Sequence, residues 1–140
     1  MNRQPLVSIV TPSFNQSPYL EETIRSVLGQ TYERIEYILI DGGSTDDSQE
    51  IIRRYADRIA YWVSEKDKGQ TDALNKGFKV AHGVIFAWIN SDDLYHPHAV
   101  EEAVAYLVDH PQVGMVYGDL DFVDENSQVI GRFPAAQTDL

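Results

Sequence analysis

Apolar positions along the chain fall into short runs separated by stretches of helical spacing. Leu6-Val7-Ser8-Ile9-Val10 ends at Thr11-Pro12, and it is too short for a helix and rich in β-branched residues, which predicts a buried strand. Ser17-Pro18 reads as an N-cap followed by proline at the first helical position. Leu20, Ile24, Val27 and Leu28 then follow at helical spacing, and Gly29 supplies the stop. Ile35 to Ile40 predicts a second strand, closed by Asp41-Gly42-Gly43. Ser44 with Asp47 three residues later has capping-box spacing. Ile51, Ile52 and Tyr55 give the next helix its apolar face. Ile59 to Val63 predicts a shorter third strand, and Ala73, Leu74, Gly77, Phe78 and Ala81 form one stripe of a helix over 70–81. Val84 to Ile89 is the most apolar run and predicts a central strand. A helix over 97–110 and a strand over 114–118 follow. Phe122-Val123 and Val129-Ile130 then flank the turn residues Asp124-Glu125-Asn126-Ser127, which predicts a hairpin.

Strands alternating with helices imply right-handed βαβ units. The expected fold is α/β, a mostly parallel sheet with helices on both faces and a C-terminal hairpin. A length of 140 residues fits one domain with a core of its own.

In such a sheet, ligands bind beyond the carboxyl ends of the strands. The residues there are Thr11-Pro12-Ser13-Phe14-Asn15, Asp41 to Asp47, Ser64 to Gln70, and Asn90-Ser91-Asp92-Asp93. All four tips are polar and three carry carboxylates. Adjacent carboxylates repel unless a cation or hydrogen-bond donors hold them. Oxygen donors in a chain without cysteine point to magnesium or manganese. A competing reading makes one of Asp92 and Asp93 the cap of the following helix, although Pro97 favours a cap nearer His96. Asp41 has a rival role as a turn residue before Gly42-Gly43. His96 and His98, Lys66 and Lys68 read as solvated side chains, and Trp62, Phe86 and Trp88 as core.

Charge narrows the field. The net charge is −11, and residues 91–140 hold ten acids against a single base, Arg132. A chain this acidic is repelled by phosphate backbones, which argues against nucleic acid as a partner. No apolar run approaches the roughly 20 residues of a membrane span, and no signal-peptide core precedes the first strand, so a cytoplasmic protein is expected. There is no G-x-G-x-x-G after the first strand, no G-x-x-x-x-G-K-[ST] loop and no G-x-S-x-G elbow.

Four segments in order carry a resemblance: S-I-V-T-P-S-F-N-Q at 8–16, I-D-G-G-S-T-D-D-S at 40–48, D-A-L-N-K-G-F at 72–78 and W-I-N-S-D-D-L-Y-H-P at 88–97. Over about residues 5–133 the chain resembles the nucleotide-sugar-binding portion of family 2 glycosyltransferases, with the GT-A (Rossmann-like) fold. The resemblance implies an inverting transferase that moves a sugar from a nucleoside diphosphate donor, UDP-linked, to a saccharide or lipid-linked acceptor. It implies that Thr11, Pro12, Ser13 and Asn15 border base and ribose, that Asp41 accepts a hydrogen bond from the base, and that Asp92 holds the ribose side. Asp93 would be the ligand of Mn2+ or Mg2+, and Gln70 and Asp72 would reach the pyrophosphate or sugar. Many relatives have Asp where Asn90 stands, but the Asp92-Asp93 pair is kept. The family's acceptor site and general base are expected beyond residue 140, so 1–140 reads as one donor-binding domain truncated before the acceptor half. Asp119, Asp121 and Asp124 are not assigned as the base. Bacterial envelope polysaccharide assembly is the implied setting, in the cytoplasm near the inner membrane surface.

Three other readings compete. A non-catalytic nucleotide-sugar-binding module would keep the donor fold without turnover. An acidic receiver-like signalling domain would need an acidic pair after the first strand and a lysine after the fifth, whereas Thr11-Pro12-Ser13 and Gly118-Asp119 stand there. A nucleotidyltransferase would normally show a glycine-rich, basic loop after the first strand, which is missing.

Overall fold

The first apolar run becomes the middle of the sheet. In the computed structural model, which describes residues 3–136, β1 (Val7–Ser13) is buried over its whole length. It pairs in parallel with β2 (Ile35–Asp41) on one side and β4 (Ile85–Trp88) on the other, and β3 (Tyr61–Ser64) pairs beyond β2. The order β3-β2-β1-β4 places a topological switch point between β1 and β4. Pro12 sits inside β1 without breaking it. Val10 Oxygen faces β4, accepting from the Ile89 N–H, and Ser13 faces β2, where its carbonyl accepts from Gly42. Pro12 shares the parity of Val10, and the β1–β4 register ends at Val10, so the missing N–H faces no strand.

Period-two alternation divides the core. Val7 and Ile9 with Tyr37 and Leu39 pack under α1 (Ser17–Leu28), α2 (Ser48–Arg54) and α4 (Ala99–Asp109), through Leu20, Ile24, Ile52 and Val104. Val10, Ile38 and Ile40 face α3 (Gln70–Val80) through Ala73. The predicted hairpin forms as β5 (Leu120–Val123) and β6 (Val129–Phe133), an antiparallel pair.

Several expectations are corrected. Val84 to Ile89 is not central: β4 is the sheet's edge among the described residues, and Phe86 and Trp88 are more than half exposed, with α3 reaching that side through Phe78 at Phe86. No strand forms over 114–118; the pairing residues lie further on, in β5. β3 begins at Tyr61, after a short 3-10 turn at Ala56–Arg58, although Ile59 is still buried. The helix predicted from Pro97 starts at Ala99.

The helix starts also differ. Ser17 is not the N-cap of α1; Gln16 is, and the Ser17 N–H donates to Asp46 Oδ2 at 2.9 Å. Ser44 forms no capping box with Asp47, since α2 starts at Ser48, whose N–H donates to Asp46 Oδ1 at 3.0 Å. One carboxylate therefore serves the first turns of two helices. Burial pushes the Asp46 carboxyl up, and the hydrogen bonds from Ser48 and Ser17 outweigh it, holding the pKa at about 2. A depressed carboxyl contributes stability above its unfolded value, and that contribution disappears as pH falls toward about 2. Asp46→Ala is expected to cost about 1–2 kcal/mol at neutral pH. It should also flatten the loss of stability between about pH 4 and pH 2. Urea unfolding of both proteins across that range checks this; an unchanged acid limb would remove Asp46 as its source.

Candidate active site

The switch point opens into a cleft of about 730 Å³ at the carboxyl ends of the strands, a volume suited to a nucleotide-sized ligand. Pro12, Ser13, Phe14 and Gln16 line it from the end of β1, and Gly42 and Gly43 from β2. Lys66, Asp67, Gly69, Gln70 and Ala73 form one wall, and Asn90, Ser91 and Asp92 close the side after β4. Ser13 is 4% exposed and its hydroxyl is one of the buried side-chain atoms without a hydrogen-bond partner among the described residues. The cleft floor thus carries an unused polar group.

Of the residues expected at the site, Pro12, Ser13, Gln70 and Asp92 line this cleft. Thr11 does not: it is fully buried, with Oγ1 2.9 Å from the Tyr37 hydroxyl. Asn15 adopts a left-handed φ of 50°, gives its N–H to Ser44 Oγ and accepts from the Thr45 N–H at 2.8 Å, so it ties two rim loops together. Asp72 turns back on its own helix start, accepting from the Lys68 N–H at 3.0 Å with Lys76 Nζ at 3.6 Å.

Asp41 is enclosed and does not line the cleft. It stands at the tip of β2 but is fully buried, and its carboxylate accepts from the Gly43 and Ser44 N–H groups and from the Ser44 and Ser64 hydroxyls. Four internal donors engage it, and it lies outside the cleft lining, so it shapes the Gly42-Gly43 turn. The carboxylate that does face the cleft at that end is Asp67. A Cβ added to Gly42 would come within 2.9 Å of Asp67 Oδ2, so the glycine makes room for it. The polar run 64–70 pointed to this loop, but not to which of its acids faces inward.

Asp92 and Asp93 are both exposed, and no lysine or arginine pairs with either among the described residues. Asn90 braces Asp93: its Nδ2 donates to Asp93 Oδ2 at 3.2 Å, its carbonyl accepts from the Asp93 N–H, and its Oδ1 accepts from Gln70 Nε2. The pair is a hard oxygen donor set, which fits Mg2+ or Mn2+. No group of three His, Asp or Glu among the described residues converges as a closed metal cage. A cation here would thus take its remaining oxygens from a bound ligand and water. Asp119, Asp121 and Asp124 have other tasks. Asp121 joins His96 and Arg132, Asp124 accepts from the Asn126 and Gln128 N–H groups, and Asp119 accepts from the Ala135 N–H.

This arrangement of parallel sheet, switch-point cleft and acid pair coincides with a family match. The sequence model described as Glycosyl transferase family 2 matches residues 8–134. The chain belongs to that family. Relatives named as glycosyltransferases include one from Rickettsia typhi, 39% identical over 125 residues, covering 88% of this chain and 39% of the relative. Another, from Mycobacterium tuberculosis, is 39% identical over 120 residues, covering 84% of this chain and 46% of the relative. The chain thus spans between about a fifth and just under half of the length of the curated relatives it matches. Among solved structures, the mannosyltransferase PcManGT from Pyrobaculum calidifontis, in complex with GDP-Man and Mn2+, superposes with a TM-score of 0.70 at 27% identity, covering 86% of this chain and 36% of that one. S. aureus TarS 1-349 in complex with UDP-GlcNAc gives a TM-score of 0.70 at 22% identity over 76% of this chain and 32% of that chain, a likeness of fold. Among the described residues no helix is long and apolar enough to cross a membrane.

Proposed function

We propose that this chain is the donor-binding portion of an inverting glycosyltransferase that takes a nucleoside diphosphate sugar, UDP-linked, and a saccharide or lipid-linked acceptor of envelope polysaccharide assembly. The observation that carries the reading is the cleft at the switch point, with the Asp92-Asp93 pair, its Asp93 braced by Asn90, at one side and Asp67 beside Gly42 and Gly43 at the other. The relative solved with GDP-Man and Mn2+ supports it.

In this reading Phe14, 59% exposed at the rim, offers its ring to the base. Asp67 replaces Asp41 as the acceptor for a base or ribose donor. The Ser13 hydroxyl and the Gln70 amide supply neutral donors, which hold a diphosphate without neutralising it. Lys66 brings one positive charge to the cleft wall, and Asp93, with Asp92 beside it, adds further neutralisation as the holder of Mn2+ or Mg2+. When bound there, the cation supplies Lewis-acid stabilisation of charge on the departing diphosphate. The reading takes the base that deprotonates the acceptor from the part of the longer relatives that this chain does not span.

Calorimetric titration with UDP and GDP, in Mn2+ and in EDTA, tests this. UDP is expected to bind at least about 10-fold tighter with the metal, which is about 1.4 kcal/mol. Equal affinity in both buffers would remove the metal bridge. No binding of either nucleotide would remove the donor-site reading. Tighter binding of GDP would replace uracil by guanine.

A further inference from the structure

The segment that carries Asp92 and Asp93 has no helix or strand from Ile89 to His98, yet one face of α1 holds its backbone. Thr23 Oγ1 donates to the Asp93 carbonyl at 2.8 Å. Ser26 Oγ accepts from the Tyr95 N–H at 3.2 Å and donates to the Thr23 carbonyl at 2.8 Å. Gln30 Nε2 donates to the His96 carbonyl at 2.7 Å, and Gln30 Oε1 accepts from the Val100 N–H at 3.0 Å. Thr23 and Ser26 are spaced i, i+3 on one side of α1, and Gln30 follows just past the helix's C-cap Gly29.

Thr23 is the informative member. It is fully buried among Leu20, Ile24 and Val27 on the core side of α1. A hydroxyl at such a position costs stability unless it is bonded. Inside a helix, threonine commonly bonds back to its own preceding turn. Here the hydroxyl reaches across 70 residues of sequence to the residue whose carboxylate belongs to the cation pair. Asn90 restrains the Asp93 side chain from the cleft side, and Thr23 restrains the same residue's main chain from the core side.

We propose that Thr23 is a positioning residue for the cation site, fixing the Asp93 main chain so that its carboxylate is preorganised for the metal; this rests on the donor-site reading above. Outer partners of metal-ligating carboxylates act on affinity through orientation.

The test compares wild type, Thr23→Val, which keeps the shape but removes the donor, and Thr23→Ser, which restores a hydroxyl. Mn2+ affinity is read by electron paramagnetic resonance in the presence of UDP, and UDP affinity in EDTA by calorimetry. Thr23→Val is expected to weaken Mn2+ by about 10-fold, with metal-free UDP affinity within about 2-fold of wild type and Thr23→Ser close to wild type. Unchanged Mn2+ affinity in Thr23→Val overturns the inference, as does an equal loss in both substitutions or a parallel loss of metal-free UDP binding. Asp93→Ala is the control. If it weakens Mn2+ while Thr23→Val does not, the inference fails and the donor-site reading stands; if neither affects Mn2+, the metal reading itself fails. Should Thr23→Val not fold, Thr23→Ala, which removes the same donor with a smaller side chain, takes its place, and a loss confined to the metal supports the inference while no loss overturns it.

Discussion

Gly77→Val is expected to destabilise the domain by about 3 kcal/mol, the upper part of the usual range for overpacking a core. Gly77 lies in the middle of α3, where glycine is intrinsically about 1 kcal/mol worse than alanine. Propensity alone therefore predicts that Gly77→Ala stabilises. Packing predicts the opposite. A Cβ at Gly77 would stand 2.4 Å from Val10 Cγ1 and 2.9 Å from Cγ2. Val10 is fully buried on the central strand, pinned by β2 on one side and β4 on the other. It has little freedom to yield, so α3 must lift. Gly77→Ala is accordingly expected to lose about 1–2 kcal/mol net, the clash exceeding the gain in helix propensity. In urea unfolding this lowers the midpoint with the slope unchanged. Val10→Ala combined with Gly77→Ala should cost less than the sum of the two, because the new methyl fills the space that Val10 vacates. A stabilised Gly77→Ala would show that close approach of α3 to β1 is not a constraint. The effect reaches the site, because α3 carries Gln70 and Ala73 on the cleft wall.

The order of elements was legible because each strand and helix announces itself within a few residues. β1, β2, α1, α3 and the hairpin follow local periodicity, and so does the helix-capping Gly29. What local periodicity cannot carry is a strand's neighbours. The run over 84–89 is apolar on both parities and so reads as central, but only one of its faces is covered, by the cluster holding Ile85 and Ala87. Phe86 meets Phe78 edge-on at 5.9 Å and is otherwise largely bare. The helix starts were misplaced for a related reason. At α1 the Ser17 N–H is satisfied by Asp46, 29 residues away in sequence, a partner no local capping rule sees, while at α2 the same carboxylate serves Ser48 from two residues before it.

At the site, the residue types were legible and their directions were not. Carboxylates at strand tips and an acid pair after β4 stand where expected. Thr11 and Ser13 share a parity on β1, but Thr11 lies two residues, or about 7 Å, deeper in the strand and so meets Tyr37 instead of the cleft. Asp41 was weighed between turn residue and ligand, and its four internal donors give it the turn. Asp67 was hidden because its inward position depends on Gly42, 25 residues earlier, having no side chain. The charge surplus after residue 90 is spread similarly: an open pair at Asp92-Asp93, Glu101, Glu102 and Asp109 on α4, and Asp121 and Asp124 fastening the hairpin.

Asp93→Ala is expected to abolish the metal dependence of nucleotide binding, bringing UDP affinity in Mn2+ down to the value in EDTA, a loss of at least about 10-fold. Asp92→Ala is expected to behave differently. Asp92 lines the cleft directly, whereas Asp93 stands beside it with its carboxylate steadied by the Asn90 amide. A residue that contacts the nucleotide contributes with or without a cation, so Asp92→Ala should weaken UDP by a similar factor in both buffers. A cation ligand contributes only when the metal is present, so its removal should leave metal-free binding intact or slightly improved, since one negative charge near the diphosphate is gone. The two substitutions thus separate on a single plot of affinity in Mn2+ against affinity in EDTA. If Asp92→Ala removes the metal dependence and Asp93→Ala does not, the two carboxylates exchange roles. If both fall equally in both buffers, the pair binds the nucleotide directly and the cation leaves the scheme.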